Sequence, residues 1–205
     1  MLVESNGGYD EGYEAVTGFW GTTPGALVRK LLAENDVSGL NVLDVGAGEG
    51  KNAAAFARAG ANVTAVECSA TAIKNGHRLF PNDTINWIHG NALEIDYPRN
   101  SYDIVISYGL THCLPSEASA SRLIRGLQNL VVPGGTFILV SFNSGSHDLS
   151  AHPGFKPLLL DHTWFVEIFE GWCFISLSDS ILFETHPHNN IPHHHSLTRL
   201  TATKP

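Results

Sequence analysis

Two stretches of this 205-residue chain hold residue types that could do chemistry at a suggestive spacing. The first is LDVGAGEG, Leu43 to Gly50. An apolar run enters Gly46, Gly48 and Gly50, and an alanine-rich helical stretch follows. Glycine permits a tight turn there and lets a ligand approach bare backbone. The start of the next helix adds free N–H groups and the positive end of a dipole. Glu67 closes the next apolar run, 21 residues after Gly46. A carboxylate so placed can accept hydrogen bonds from two ribose hydroxyls. A dinucleotide fingerprint would need its third glycine at position 51, which is Lys51. No GK[ST] follows, which excludes a phosphate-binding P-loop. The constellation asks for an adenosine-type ligand without a pyrophosphate.

The second stretch is HPHNNIPHHH, His186 to His195, with five histidines in ten residues. Three readings stand side by side: a polar turn without a ligand, acceptor contact or proton relay, and a metal site. Alternate side chains of an extended chain share a face, which groups His193 with His195 and lets His186 and His188 pair across from them. Imidazole clusters suit zinc, nickel or copper. No thiolate accompanies this one, so a cysteine-rich structural zinc site is not expected.

What must position these residues is an alternation of strands and helices. LNVLDV (40–45), ANVTAVE (61–67), TINWIHG (84–90), SYDIVISYG (101–109) and GTFILVSF (135–142) read as strands. Helices are expected over 52–60, over 69–80 with Ser69 as cap, and over 117–131, where Pro133-Gly134-Gly135 follows. This pattern predicts a doubly wound α/β domain with a parallel sheet. Residues 143–157 read as a polar loop that carries His147 and His152, and 161–171 as a short helix capped by Asp161. Two long strands, 172–185 and 195–204, flank the histidine turn. One domain is expected, with N-terminal helices or a lid over 1–36, a cofactor-binding half over 37–142 and an acceptor-side half over 143–205.

Composition narrows the partners. Twelve basic against twenty acidic side chains give a net charge of −8, which disfavours nucleic acid and anionic membranes and suits a small-molecule partner. Three well-separated cysteines without a CxxC pair fit reduced thiols in the cytoplasm. No apolar run reaches the ~18 residues of a membrane helix, and the polar, acidic first residues do not read as a secretory signal.

LDVGAGEG with Glu67 after the second strand resembles motif I and the ribose acid of class I S-adenosylmethionine-dependent methyltransferases. YDIVISYGLTHCLP (102–115) resembles their fourth-strand motif and LVVPGGTFILV (130–140) their turn into strand five. FWGTTP (19–24) and the histidine-rich end look most like the small methyltransferases of tellurite-resistance type. The resemblance implies a seven-stranded, mostly parallel sheet whose last strand is antiparallel. It implies S-adenosylmethionine as cofactor, with Asp44, Gly46, Ala47 and Gly48 near its methionine part and Glu67 on the ribose. Cys68, Asn91 and Ala92 fall beside the adenine, and Ser107 closes strand four beneath the sulfonium. Asn91 stands where the family usually has an aspartate.

Methyl transfer from a sulfonium is an in-line displacement that asks the protein mainly to align the acceptor and exclude water. A base is needed only for a protonated acceptor. His112, just past strand four, is the first choice, and Tyr13 the second catalytic candidate. Tyr9 and Trp20, ahead of the first strand, could meet the acceptor or the cationic sulfonium. In this fold the sixth strand ends on the ligand side, so His186, His193 and His195 should overhang the acceptor. Two other functions fit the same residues: a cofactor-binding protein that runs a non-methylating reaction such as a cyclisation, and a nicotinamide-linked oxidoreductase.

Overall fold

The computed structural model describes residues 9–94, 97–152, 154–186 and 190–205. His188, one of the possible metal ligands, lies outside the described residues. The chain opens with helices α1 (Asp10–Ala15) and α2 (Ala26–Glu34). It continues through β1 (Asn41–Val45), α3 (Lys51–Arg58), β2 (Asn62–Glu67), α4 (Ala70–Leu79), β3 (Ile85–His89) and β4 (Tyr102–Tyr108). After α5 (Glu117–Leu130) come β5 (Val131–His147), α6 (His162–Ile168), β6 (Cys173–Glu184) and β7 (His193–Thr203).

Among the described residues the strands form one sheet in the order β3-β2-β1-β4-β5-β7-β6. Neighbours from β3 to β5 are parallel, while β7 runs antiparallel to both β5 and β6. The expected fold is therefore the observed one, and β6 points its carboxyl end the same way as β1 to β5. Apolar side chains alternate across the sheet and feed two cores. Leu43, Val45, Val66, Val105 and Phe137 face α5 and α6. Val42, Val63, Ala65, Ile104 and Ile106 face α2 and α3. Phe56 of α3 is fully buried in the second core, where truncation to Ala costs ~3–5 kcal/mol.

Local chemistry sets the helix starts. Ser69 accepts from the Ala72 amide at 3.0 Å, and the Asp161 carboxylate accepts from Thr163 at 2.9 Å. Strand five departs furthest from the expected limits. Strand five begins at Val131, where Val131 pairs with Tyr102, and the Pro133-Gly134-Gly135 stretch is a bulge inside the strand before pairing resumes at Thr136. It also runs past Phe142 to His147, which pairs with His195. β7 is long enough to offer a ladder there, so the first part of the expected 143–157 loop is strand. No described helix is long and apolar enough to cross a membrane.

Candidate functional site

The carboxyl ends of β1, β2 and β4 meet at the glycine turn. Gly46 and Gly48 have φ of +69° and +56°, a region that side chains resist. The amides of Gly46 and Ala47 both donate to the Val66 carbonyl, at 2.9 and 3.0 Å. The Gly48 amide donates to Glu67 Oε2 at 2.8 Å, and Glu67 Oε1 accepts from the Ser69 amide at 2.9 Å. The Glu67 carboxylate is thus buried and fixed at the tip of β2. It also accepts from the Cys68 thiol at 3.4 Å, and burial together with this neighbour pushes that thiol up to about 12.

Three buried polar groups at these strand ends lack a hydrogen-bond partner among the described residues: Asp44 Oδ2, Ser107 Oγ and Thr111 Oγ1. Asp44 is 1% exposed. Burial raises its pKa to about 7, against the lowering effect of the Ala53 amide. Such groups are costly unless a ligand meets them.

The N-terminal segment lies across the turn. A side chain at Gly48 would come within 3.0 Å of the Tyr13 hydroxyl, and one at Gly46 within 2.9 Å of Leu110. Tyr13 accepts from the Trp20 indole at 3.1 Å. Residues of the glycine motif and the first turn of α3 hold this cover down. Glu49 Oε1 accepts from the Gly18 amide (2.8 Å) and from Asn75 (3.0 Å), Lys51 Nζ donates to the Trp20 carbonyl (3.0 Å), and Asn52 accepts from the Gly25 amide (2.9 Å).

Beyond β4, His112 sits in a single 3₁₀ turn, Thr111–Cys113, and is buried. Its ring stacks on Phe142 at 4.0 Å and 5°, and Phe142 stacks in turn on His195 at 4.1 Å. His112 Nδ1 accepts from the Phe142 amide at 3.1 Å, so the neutral ring carries its proton on Nε2. Burial, with His147 and His152 nearby, lowers its pKa to about 3. His147 Nε2 donates to the Asn143 carbonyl at 2.7 Å, leaving its Nδ1 to accept from His195 Nδ1 at 3.3 Å. Tyr9 and Trp20 close the side toward the N-terminus, Tyr9 lying 5.2 Å from the Phe155 ring.

The histidine turn behaves as alternation requires at its end in β7. His193 and His195 are both buried, whereas His194 points the other way to Ser146 and Phe183. His186 and His193 meet at 3.1 Å between Nε2 atoms. A third ring joins them that was not among the candidate ligands: His152, whose Nε2 is 3.2 Å from His186 and 3.3 Å from His193. His195 does not share this point; its nearest acid-and-imidazole group is Glu184 with His193.

The turn therefore brings together Asp44, Gly46, Ala47, Gly48, Glu67, Cys68 and Ser107, with Tyr13 above them. Asn91 and Ala92 lie after β3. The Asn91 amide oxygen already accepts from the Leu93 amide at 3.0 Å, closing a local turn. Ala92 packs against the core beside Tyr97 and lines a surface cleft with Arg122. Sequence reasoning missed Leu110, Phe142 and the anchoring roles of Glu49 and Lys51. Only Lys51 had drawn notice, as a residue out of place in a dinucleotide motif.

Comparison with known proteins agrees with this geometry. Residues 43–139 match the family described as "Methyltransferase domain". An uncharacterized methyltransferase of Mycobacterium bovis is 36% identical over 101 residues, 49% of this chain and 50% of that protein. A demethylmenaquinone methyltransferase of Clavibacter sepedonicus is 32% identical over 110 residues, 53% of this chain and 43% of that one. The chain spans about half the length of these curated relatives. Among solved structures, TehB from Haemophilus influenzae superposes with a TM-score of 0.72 at 17% identity, covering 98% of this chain and 67% of that one. Magnesium protoporphyrin IX methyltransferase from Synechocystis PCC 6803 superposes with a TM-score of 0.63 at 18% identity, covering 97% and 80%. At these identities the structures speak for the fold alone. The methyltransferase-domain match runs from β1 into β5 on a sheet ordered β3-β2-β1-β4-β5-β7-β6, so that stretch, just under half of the chain, is similar to the methyltransferase-domain family.

Proposed function

We propose that this protein binds S-adenosylmethionine on the glycine turn and transfers its methyl group to a small molecule in the cytoplasm. The observation that carries the reading is the Gly48–Glu67 pair beside the unpartnered Asp44 carboxylate oxygen. The residues fit the cofactor. Glu67 offers a fixed carboxylate to two hydroxyls, and Asp44, Gly46, Ala47 and Gly48 offer bare backbone and an acid to a cationic amino group. Cys68, Asn91 and Ala92 are the residues for the adenine side, and Ser107, next to last in β4, is the residue for the side below the sulfur. When bound, the cofactor supplies an electrophilic methyl on a sulfonium. The division into a lid over 1–36, a cofactor half over 37–142 and an acceptor half over 143–205 follows from the same reading.

His112 then serves as a neutral Nε2–H donor that orients the acceptor, since its Nδ1 is held by the Phe142 amide. Tyr13 screens the reacting centre from water. The acceptor side, with Tyr9, Trp20 and Phe155, presents aromatic faces, and His186, His193 and His195 bound it from β6 and β7. These faces, together with relatives named demethylmenaquinone methyltransferases, favour a planar, quinone-type ring as acceptor. The test is to incubate the purified protein with methyl-labelled cofactor and a panel of reduced quinones and phenols. A product heavier by one methyl group supports the reading. Failure to bind either S-adenosylmethionine or S-adenosylhomocysteine in calorimetry overturns it, and a cofactor-dependent product of unchanged methyl count replaces methyl transfer with another reaction.

A further inference from the structure

Three imidazoles from three separate parts of the chain converge on one point. His152 comes from the segment after β5, His186 from just past the end of β6, and His193 from the start of β7. Their Nε2 atoms form a triangle with edges of 3.1, 3.2 and 3.3 Å. All three are buried, at 7%, 5% and 4% exposure. Trp20 covers them, edge-on to His186 at 4.9 Å and stacked on His152 at 6.0 Å.

Hydrogen bonding among the rings does not account for this triangle. An imidazole nitrogen has one in-plane site, occupied by a proton or by a lone pair. His193 Nδ1 lies 2.7 Å from the Ile191 carbonyl, so it carries the proton and His193 Nε2 presents a lone pair. Whichever way the other two Nε2 atoms are set, one edge of the triangle brings two lone pairs or two N–H groups face to face. Three lone pairs directed at a cation remove the conflict. The geometry is also that of a metal. Zinc–nitrogen bonds of ~2.0–2.1 Å at tetrahedral angles give ligand separations of about 3.3–3.4 Å, close to the edges observed. The Nδ1–H of His193 on a backbone carbonyl is the outer partner that fixes a metal-ligating ring. Glu184, whose carboxylate is 3.9 Å from His193 Nε2, supplies negative charge beside the site.

We propose that His152, His186 and His193 bind one divalent transition-metal ion of the zinc type, with Glu184 as the neighbouring charge-compensating acid. The ion ties the segment after β5 to both sides of the β6–β7 connection and holds them under Trp20. Borderline metals that accept imidazole, such as zinc, cobalt or nickel, fit this set; magnesium and calcium, which prefer oxygen ligands, do not.

The experiment titrates zinc and cobalt into chelator-stripped protein with neither cofactor nor acceptor present, so its outcome is independent of the methyl-transfer reading. One ion per chain should bind, cobalt should show the intense visible bands of a tetrahedral site, and zinc should raise the melting temperature. His152→Ala and His193→Ala should each weaken binding at least 100-fold, and the milder His152→Gln covers the case where an alanine variant fails to fold. His194→Ala, on the opposite face of β7, should bind as the parent does. No stoichiometric binding by the parent protein, or equal binding by folded variants at 152 and 193, overturns the proposal; magnesium binding with the affinity of zinc does so as well.

Discussion

The backbone amide of Gly48 donates to the Glu67 carboxylate across 2.8 Å, joining the turn after β1 to the tip of β2. The acid that the sequence offers to a ribose is therefore already oriented by the loop it would share with the cofactor. Preorganisation of this kind reduces the ordering that binding must impose. Glu67→Ala removes both the ligand's acceptor and the loop's anchor. Hydrogen bonds to a charged group contribute ~1.5–3 kcal/mol each, so calorimetry with S-adenosylhomocysteine should show at least a tenfold weaker complex. An unchanged dissociation constant in a folded variant would remove Glu67 from the site.

Asp44 gives that site a pH signature. Its buried carboxyl titrates at about 7, so it is largely protonated below that pH. A cationic amino group recruits the ionised form. Affinity for the cofactor should therefore rise as pH increases from 6 toward 7.5 and then level off. Asp44→Asn should bind more weakly and lose that rise. A parent profile that is flat or falls across this range would contradict the assignment.

His112 makes the opposite kind of contribution, to folding. In the folded protein it stays neutral down to about 3, while in the unfolded chain it takes up a proton near 6.5. Between these values the unfolded state binds more protons, so stability present above pH 6.5 is lost as pH falls, at up to ~1.4 kcal/mol per unit from this group. His147 and His152 face it and act in the same direction. Urea unfolding at pH 6.5, 5.5 and 4.5, with chelator present, should show a shallower loss for His112→Phe than for the parent. Equal slopes would mean that the imidazole is not the buried neutral group described.

Tyr13 and Trp20 can be separated by a single oxygen. Tyr13→Phe leaves the indole N–H without the hydroxyl that accepts it at 3.1 Å, a loss of ~1–2 kcal/mol. The melting temperature should drop, and labelled-methyl turnover should fall further than the loss of fold accounts for, because the hydroxyl lies over Gly48. Wild-type turnover in the variant would reduce Tyr13 to packing.

The glycine turn and its acid were legible because their signals are local. Glycines, a β-branched run and an acid at the end of it follow one another within 25 residues, and short-range sterics and burial determine all of them. The sequence makes strand five too short because Pro133-Gly134-Gly135 signals a stop, whereas the structure absorbs these residues as a bulge beside Tyr102. His152 was passed over as a ligand for a different reason. Its partners are 34 and 41 residues away, and no periodicity connects a polar loop to the turn that folds onto it. Asn91 shows a third limit. Its oxygen can accept from a ligand or from the Leu93 amide, and in the structure the nearer group has it.

Glu49 stands inside the same short motif as the glycines and Lys51 directly follows it, yet their side chains grip Gly18 and Trp20 of the N-terminal segment. Entrance and latch are thus one piece of chain. A ligand seated on the glycine turn would lie beneath that segment, and uncovering the turn would part the Gly18–Glu49 and Trp20–Lys51 hydrogen bonds, of 2.8 and 3.0 Å.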